Sequence, residues 1–323
     1  MLEGDEQARN ESSLDPTSRA SREAGTNSQI DGRFSQGMTR FLFIADTHWG
    51  SAQDGYKVQP KYGERLPDLL AALRGWMSEN PPVDFILHGG DMIHNTSETS
   101  ITEAVAHFDL KVPVYLCLGN HDLTTRDGLG EWMRLAPGFF IDGASNYTIE
   151  TTSCVIHVIP NQYGVDPYHW DKTQDAHFLT SQVKDLEQSI ASHPNTTRFI
   201  VTHSPVHPIP PGQTGFDAPF HAPIETFTST VSQLSEKHSV RCVLGAHSHT
   251  NMRKELNGVN YITVSSFVES PFEFKCFEIS EDTISMTTLH LMNRIEFDAD
   301  YNWDKTFAQG REGDRSLDIQ LRG

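Results

Sequence analysis

The sequence predicts an α/β protein in which parallel strands alternate with helices, and three observations carry that prediction. Short, fully apolar runs recur along the chain, separated by segments with helical spacing of apolar residues. The first three runs and the two helical segments between them form a βαβαβ unit, which calls for parallel pairing with right-handed crossovers. Five short polar clusters each follow directly on one of the expected strands.

Taken in order, Arg40–Ala45 (Phe41-Leu42-Phe43-Ile44) reads as the first buried strand. Leu66, Leu69, Leu70, Leu73, Trp76 and Met77 repeat at helical spacing and mark one amphipathic helix with a core-facing stripe. Val83–Leu87 is the second strand. Ser100-Ile101-Thr102-Glu103 has the form of a capping box, opening a helix that runs to about Phe108. Val112–Leu118 completes the unit. The second half is richer in strands, expected at Tyr147–Glu150, Cys154–Ile159, Arg198–Thr202, Val240–Leu244, Val259–Val264, Phe272–Ile279 and Thr283–Leu289. Helices are expected at Thr180–Ser192 and Ile224–Lys237. The last three strands read as an antiparallel meander joined through Ser280-Glu281-Asp282, so a mixed sheet or two facing sheets with helices outside would hold them.

Composition narrows the function classes. The 323 residues carry 25 Lys+Arg against 43 Asp+Glu, a formal net charge of −18, with 37 % hydrophobic and 21 % charged residues. That is an ordinary globular composition, long enough for one large domain or two small ones. No apolar run approaches the ~18 residues of a membrane span. The start (Met1-Leu2-Glu3-Gly4-Asp5-Glu6) lacks a basic and apolar secretory signal. The acidic balance counts against a nucleic-acid polymer as partner, since a basic footprint is needed there. Cys117, Cys154, Cys242 and Cys276 each sit in an apolar run with no Cys-x-x-Cys pair, the pattern of buried reduced thiols in a cytoplasmic protein.

Residues 1–37 are rich in Ser, Glu, Gln, Asn, Gly and Arg and poor in large hydrophobes, so they read as a flexible or docked extension. The compact part is expected over 38–297, followed by a polar tail over 298–323 in which Trp303 and Phe307 are candidates to pack back.

The chemistry resides in the five clusters: Asp46-Thr47-His48, Gly89-Gly90-Asp91, Gly119-Asn120-His121-Asp122, His203-Ser204-Pro205 and His247-Ser248-His249. In α/β sheets functional groups collect in the crevice at the carboxyl ends of strands. The loops would therefore bring carboxylates, imidazoles and one amide to one place, a ligand set suited to Mn, Fe or Zn. Any single cluster is weak; five in order, each at a strand end, are specific.

With these motifs the sequence resembles the calcineurin-like binuclear metallophosphoesterases over roughly residues 39–290. The resemblance implies a four-layer sandwich of two mixed β-sheets flanked by helices, with a binuclear metal site at the strand C-terminal ends and residues 38–297 as the metallophosphoesterase domain. It also implies that Asp46, His48 and His249 ligate one metal, that Asn120, His203 and His247 ligate the other, and that Asp91 bridges. His121 matches the family histidine that contacts the phosphate and protonates the leaving oxygen, with Asp122 orienting it; Asn120 would also touch substrate. The last family motif usually reads Gly-His-x-His, and here Ala246 stands in the Gly position after Gly245. Two divalent ions would bring about +4 and Asp46 with Asp91 about −2, leaving a positive site for phosphate in an acidic protein. Ions ~3.5–4 Å apart share a hydroxide of lowered pKa for in-line attack, and His121 would assist the leaving alcohol as general acid.

Within the superfamily, Gly119-Asn120-His121-Asp122 and Asp91-Met92-Ile93-His94 differ from the Ser/Thr phosphatase motifs, and His94 stands where purple acid phosphatases place a Tyr ligand. The segment from His177 to Leu186 looks like the helix start before the fourth motif in class III cyclic-nucleotide phosphodiesterases. The expected activity is therefore hydrolysis of a small phosphodiester or monoester, with two metal ions as cofactors and a small phosphorylated substrate as partner. Ala45–Gly50 and Gly89–His94 also resemble the repair nucleases of the superfamily, a DNA-processing alternative that the charge disfavours. A non-catalytic interaction scaffold ranks third, because all seven ligand positions are filled. Substrate choice is assigned to three loops, Trp49–Glu64, Asn161–Gln174 and the proline-rich Pro205–Pro223. In them Tyr163, Tyr168, His169 and Trp170 are candidates to stack on a leaving group, and His207 (paired with His221 in the same loop) is the candidate for substrate contact. Lys57, Lys61 and Arg126 are the nearby cations.

Overall fold

A computed structural model of the protein describes residues 37–51 and 56–321. The expected N-terminal extension, apart from residue 37, lies outside the described residues. In chain order the elements begin β1 (Met38–Ile44), α1 (Leu66–Glu79), β2 (Phe85–His88), α2 (Glu98–His107), β3 (Val114–Leu116), α3 (Gly128–Leu135), β4 (Tyr147–Glu150), β5 (Cys154–Val158) and α4 (Thr180–Ala191). They continue with β6 (Thr197–Val201), α5 (Pro211–Thr214), α6 (Glu225–Lys237), β7 (Cys242–Gly245), β8 (Met252–Leu256), β9 (Val259–Thr263), β10 (Glu273–Ser280), β11 (Thr283–His290) and β12 (Ser316–Gln320).

Two mixed sheets result, ordered β12-β11-β10-β1-β2-β3 and β4-β5-β6-β7-β9-β8. The expected parallel unit is present: β1 pairs with β2 and β2 with β3, all parallel, while β10 closes antiparallel on β1. In the second sheet β5, β6, β7 and β9 run parallel, edged by antiparallel β4 and β8. The sheets meet face to face. Phe41 stacks on Phe85 at 5.1 Å and on Phe277 at 4.8 Å within one sheet, and takes Phe199 of the other edge-on at 6.2 Å. Strand alternation explains the layers: Phe199 and Val201 point into this shared core, while Ile200 turns to a second cluster with Leu186, Ile190, Phe227, Val231 and Leu234 of α4 and α6. On the first sheet Leu66, Leu69, Leu70 and Leu73 of α1 are fully buried, as their spacing predicts. All four cysteines are buried and unpaired, and no helix among the described residues is long and apolar enough to cross a membrane.

Three expectations are corrected. Val259–Val264 does not open the meander: β9 pairs parallel with β7 in the second sheet, and the meander is β10-β11-β12. Sequence adjacency does not reveal which sheet a strand joins, and here the chain crosses between sheets through buried Phe267 and Val268. The cap of α2 is Ser97, whose hydroxyl accepts the Ser100 N–H at 3.1 Å, so the helix starts before the Ser100 box. The polar tail adds β12, in which only Leu317 is fully buried and Ile319 half-buried, too sparse a signal to read. Phe307 of the tail packs on Phe216 at 5.2 Å, whereas Trp303 is exposed.

The tail also closes a buried polar cluster. Arg315 pairs with buried Glu273 at 2.6 Å, and beside it Lys275 is fully buried with its ammonium donating to Thr288 Oγ1 at 2.9 Å. Burial pushes Lys275 down from 10.5 to about 7, against the pull of Glu273. Between about pH 7 and 10.5 the unfolded chain then binds more protons than the folded one, so stability rises with pH across that window. Lys275→Met is expected to remove that slope and to raise Tm at pH 7 and below. Thermal unfolding against pH checks this; a slope unchanged in the variant would refute it.

Candidate metal centre

The parallel register places the C-terminal ends of β1, β2 and β3 opposite those of β6 and β7, and all five polar clusters occupy these ends. The backbone there is unusual. Asp46, His48, Asp91, His247 and His249 all have positive φ, between 43° and 63°, a region that residues other than glycine enter only when surrounding contacts hold them. Asp46 N–H bonds to the Gly90 carbonyl and His48 N–H to the Asp91 carbonyl, so the first two clusters brace each other. Gly119 is required by close approach, since a Cβ there would lie 2.3 Å from Asp91 Oδ1. Ala246 has no such constraint: it keeps negative φ, is fully buried, and donates its N–H to the His203 carbonyl at 2.8 Å.

The expected ligands converge in two triads, Asp46/His48/His249 and Asp91/His203/His247, and His48 also groups with His94 and His121; in each group the ligand-type atoms lie within 4.8 Å of one another. His48 Nε2 stands 3.2 Å from His249 Nε2 and 3.7 Å from Asp91 Oδ2. Asp91 Oδ2 lies 3.4 Å from His203 Nε2, which is 3.2 Å from His247 Nδ1. Asn120 is buried beside them, and its Oδ1 has no hydrogen-bond partner. Imidazole nitrogens facing each other around carboxylates, with one unsatisfied amide oxygen, form a donor set that fits two cations.

Outer contacts fix the rings. His203 Nδ1 is held by the Gly89 carbonyl at 2.8 Å and His249 Nδ1 by Glu269 Oε1 at 2.5 Å, which leaves each Nε2 facing inward. Glu269 also accepts the N–H groups of Val58 and Gln59. Sequence reading missed Glu269; its one available signal is a lone acid in the otherwise small and apolar run Val264–Ser270. Burial raises Asp46 to about 7 against the pull of His249 and His203. Burial also opposes charge on Asp91, yet His203, His121 and His48 together hold its carboxyl well below the usual range. His203 rises to about 9, because Asp91 outweighs the burial that would lower it.

His121 sits at the mouth, its N–H donating to Asp91 Oδ1 at 2.8 Å and its Nδ1 2.8 Å from the His94 carbonyl. The His94 ring stacks on it at 4.6 Å. Asp122 does not orient the His121 ring as expected. Its oxygens accept Ile93 N–H at 3.1 Å and Gly119 N–H at 2.8 Å, so it ties two of the loops together by their backbones. Burial, with Asp91 nearby, raises Asp122 to about 7.

A cavity of about 340 Å³ opens over both triads, lined also by Tyr56, Lys61, His94, Asn120, Trp170 and His221. The expected substrate contact His207 lies outside that lining, buried against Tyr261 at 4.4 Å and 3.2 Å from Lys254 Nζ. Its loop partner His221 reaches the cavity instead, 2.9 Å from Tyr56 Oη. Lys61 is buried at the wall, and burial lowers its ammonium from the usual range. Of the expected stacking residues, Trp170 lines the cavity, Tyr163 lies buried beneath His247 at 5.2 Å, and Tyr168 turns to Asn146.

The sequence profile of the calcineurin-like phosphoesterases matches residues 39–251. No curated protein sequence matches the chain. Among solved structures, a dimetal phosphatase from Danio rerio superposes with a TM-score of 0.60 at 20 % identity, covering 78 % of this chain and 96 % of that one. The purple acid phosphatase PPD1 of yellow lupin gives 0.58 at 14 % identity over 90 % of this chain and 58 % of that one. GAP50, the anchor in the inner membrane complex of Plasmodium, gives 0.57 at 13 % over 83 % and 89 %. At these identities the likeness is one of fold.

Proposed function

The chain belongs to the calcineurin-like phosphoesterase family, which uses two metal ions, and we propose that it hydrolyses a small phosphate ester, a diester first, at the centre described above. Asp46, His48 and His249 would hold one ion and Asn120, His203 and His247 the other, with Asp91 standing between the two sets. The observation that carries this reading is the pair of triads at the floor of the cavity, with Asn120 Oδ1 unsatisfied beside them. When bound, the ions supply an acidified water and counter-charge for the phosphoryl oxygens. The chain's own part is to hold the ester in line and to move a proton. Since His121 Nδ1 is committed to the His94 carbonyl, Nε2 is the nitrogen that protonates the leaving oxygen. Lys61 brings its amine to the wall, and the modest cavity together with the net charge of −18 favours a small substrate over a polymer.

The test is turnover of bis(p-nitrophenyl) phosphate against p-nitrophenyl phosphate in Mn²⁺ and after chelation. Metal-dependent preference for the diester is the expected result. Preference for the monoester would move the substrate class, and cleavage of single-stranded DNA with neither ester turned over would favour the nuclease reading. Glu269→Gln is expected to weaken Mn²⁺ binding by about 10- to 100-fold through loosened orientation of His249. Calorimetric titration with Mn²⁺ measures it, and wild-type affinity in the variant would remove Glu269 from the site.

A further inference from the structure

Resting on the phosphoesterase reading, we propose that Trp170 is a stacking platform that selects phosphate esters whose leaving group carries a flat aromatic ring. Its ring centroid lies 4.6 Å from that of His121, inclined at 51°, and both rings line the cavity. A leaving oxygen protonated by His121 therefore carries its organic substituent towards the Trp170 face. The polar groups of this tryptophan are already engaged: the indole N–H donates to the Thr173 carbonyl at 2.9 Å and the backbone N–H to the Leu123 carbonyl at 2.8 Å. What remains to meet a substrate is the π-face, which attracts another flat ring and offers an alkyl chain much less.

The platform is ordered before any ligand arrives, which reduces the entropy lost on binding. Tyr168 N–H, two residues earlier, donates to Gln162 Oε1 at 2.6 Å. Gln162 exchanges backbone hydrogen bonds with His177 at 2.8 and 2.9 Å, and Asp166 pairs with Arg126. Gly164 permits the turn, since a Cβ there would fall 2.3 Å from the His169 carbonyl. Elsewhere the lining carries Lys61, which suits the phosphoryl oxygens, and Tyr56, whose ring already packs on His221 at 5.4 Å, beside Pro205, Ala222 and Pro223.

The experiment uses the Mn²⁺-loaded full chain and compares the phenyl, nucleoside and ethyl esters of one phosphate series. Trp170→Ala is expected to lower the kcat/KM ratio of aromatic over ethyl ester by about tenfold, the scale of one lost stacking contact, and Trp170→Phe to restore most of it. A fall confined to the phenyl ester identifies an aryl alcohol as leaving group, and one confined to the nucleoside ester a nucleoside; either supports the platform. Parallel loss on all esters, or no loss, would overturn it. A second readout is independent of turnover: phenylphosphonate should quench tryptophan fluorescence in the wild type more than in Trp170→Phe, and ethylphosphonate should not. Equal quenching by both phosphonates would overturn the proposal. Selective quenching with every ester left intact would retain the platform and remove the phosphoesterase reading.

Discussion

Asp91→Asn is expected to lower kcat by about a thousandfold or more, because it removes the one negative charge shared by both halves of the site. Its Oδ2 lies 3.4 Å from His203 Nε2 and 3.7 Å from His48 Nε2, side chains delivered by different sheets, while Oδ1 accepts the His121 N–H at 2.8 Å. Asn keeps the shape and that accepted hydrogen bond, so the comparison isolates charge. Asn is also preferable to Ala for backbone reasons: Asp91 has φ of 53°, a conformation Asn tolerates better than most residues. Turnover with Mn²⁺ is measured beside metal content and circular dichroism. The expected outcome is an intact fold, fewer than two ions per chain and near-complete loss of hydrolysis. Turnover within tenfold of wild type with two ions bound would refute the bridging role.

How much of this was legible in the sequence follows from the range of each interaction. Strand identity and the five clusters are local properties: an apolar run followed at once by Asp-x-His or Gly-Gly-Asp can be read from a few residues, and parallel pairing then brings the strand ends together. The choice of sheet for β9 is not local, since it depends on where Val264–Phe272 crosses between the layers. Nor is Glu269, which reaches His249 across 20 positions and supports Val58 and Gln59 from more than 200 positions away. Tyr56 and His221 meet across 165 positions and leave no pattern in either segment. Asp122 misled because its place after His121 suggested a side-chain pair, whereas the adjoining turn aims its carboxylate at the backbone of Ile93 and Gly119. His207 and His221 share a loop, and only tertiary packing decides that Tyr261 takes the first away from the cavity.

The positive φ values tie legibility to function. Five of the seven proposed ligands occupy a backbone region that costs of order 1–3 kcal/mol each for a residue with a Cβ. Asp and His enter this region more readily than most residues with a Cβ, yet five such positions in one site still need support from outside each loop. They persist because the loops brace one another, as in the Asp46 and His48 bonds to the Gly90 and Asp91 carbonyls and the His247 N–H bond to Asp46 at 3.2 Å. Local rules fail at the same positions where the chemistry sits.

His121→Gln is expected to slow hydrolysis of an ethyl ester by about 10²–10⁴-fold, the usual contribution of a positioned general acid. The p-nitrophenyl ester should suffer far less, since p-nitrophenolate leaves without protonation. Gln preserves a polar side chain of similar reach, and the N–H of residue 121 still donates to Asp91, so the loop geometry is retained. Measuring kcat for both esters therefore separates proton transfer from positioning: loss of position slows the two alike, and loss of the acid slows the poor leaving group selectively. This direction is opposite to that expected for Trp170→Ala, which reduces aromatic preference where His121→Gln increases it. Because the two rings stand 4.6 Å apart, a general disturbance of this wall would move both variants the same way. Opposite movement is the result that assigns the proton to His121 and the ring contact to Trp170.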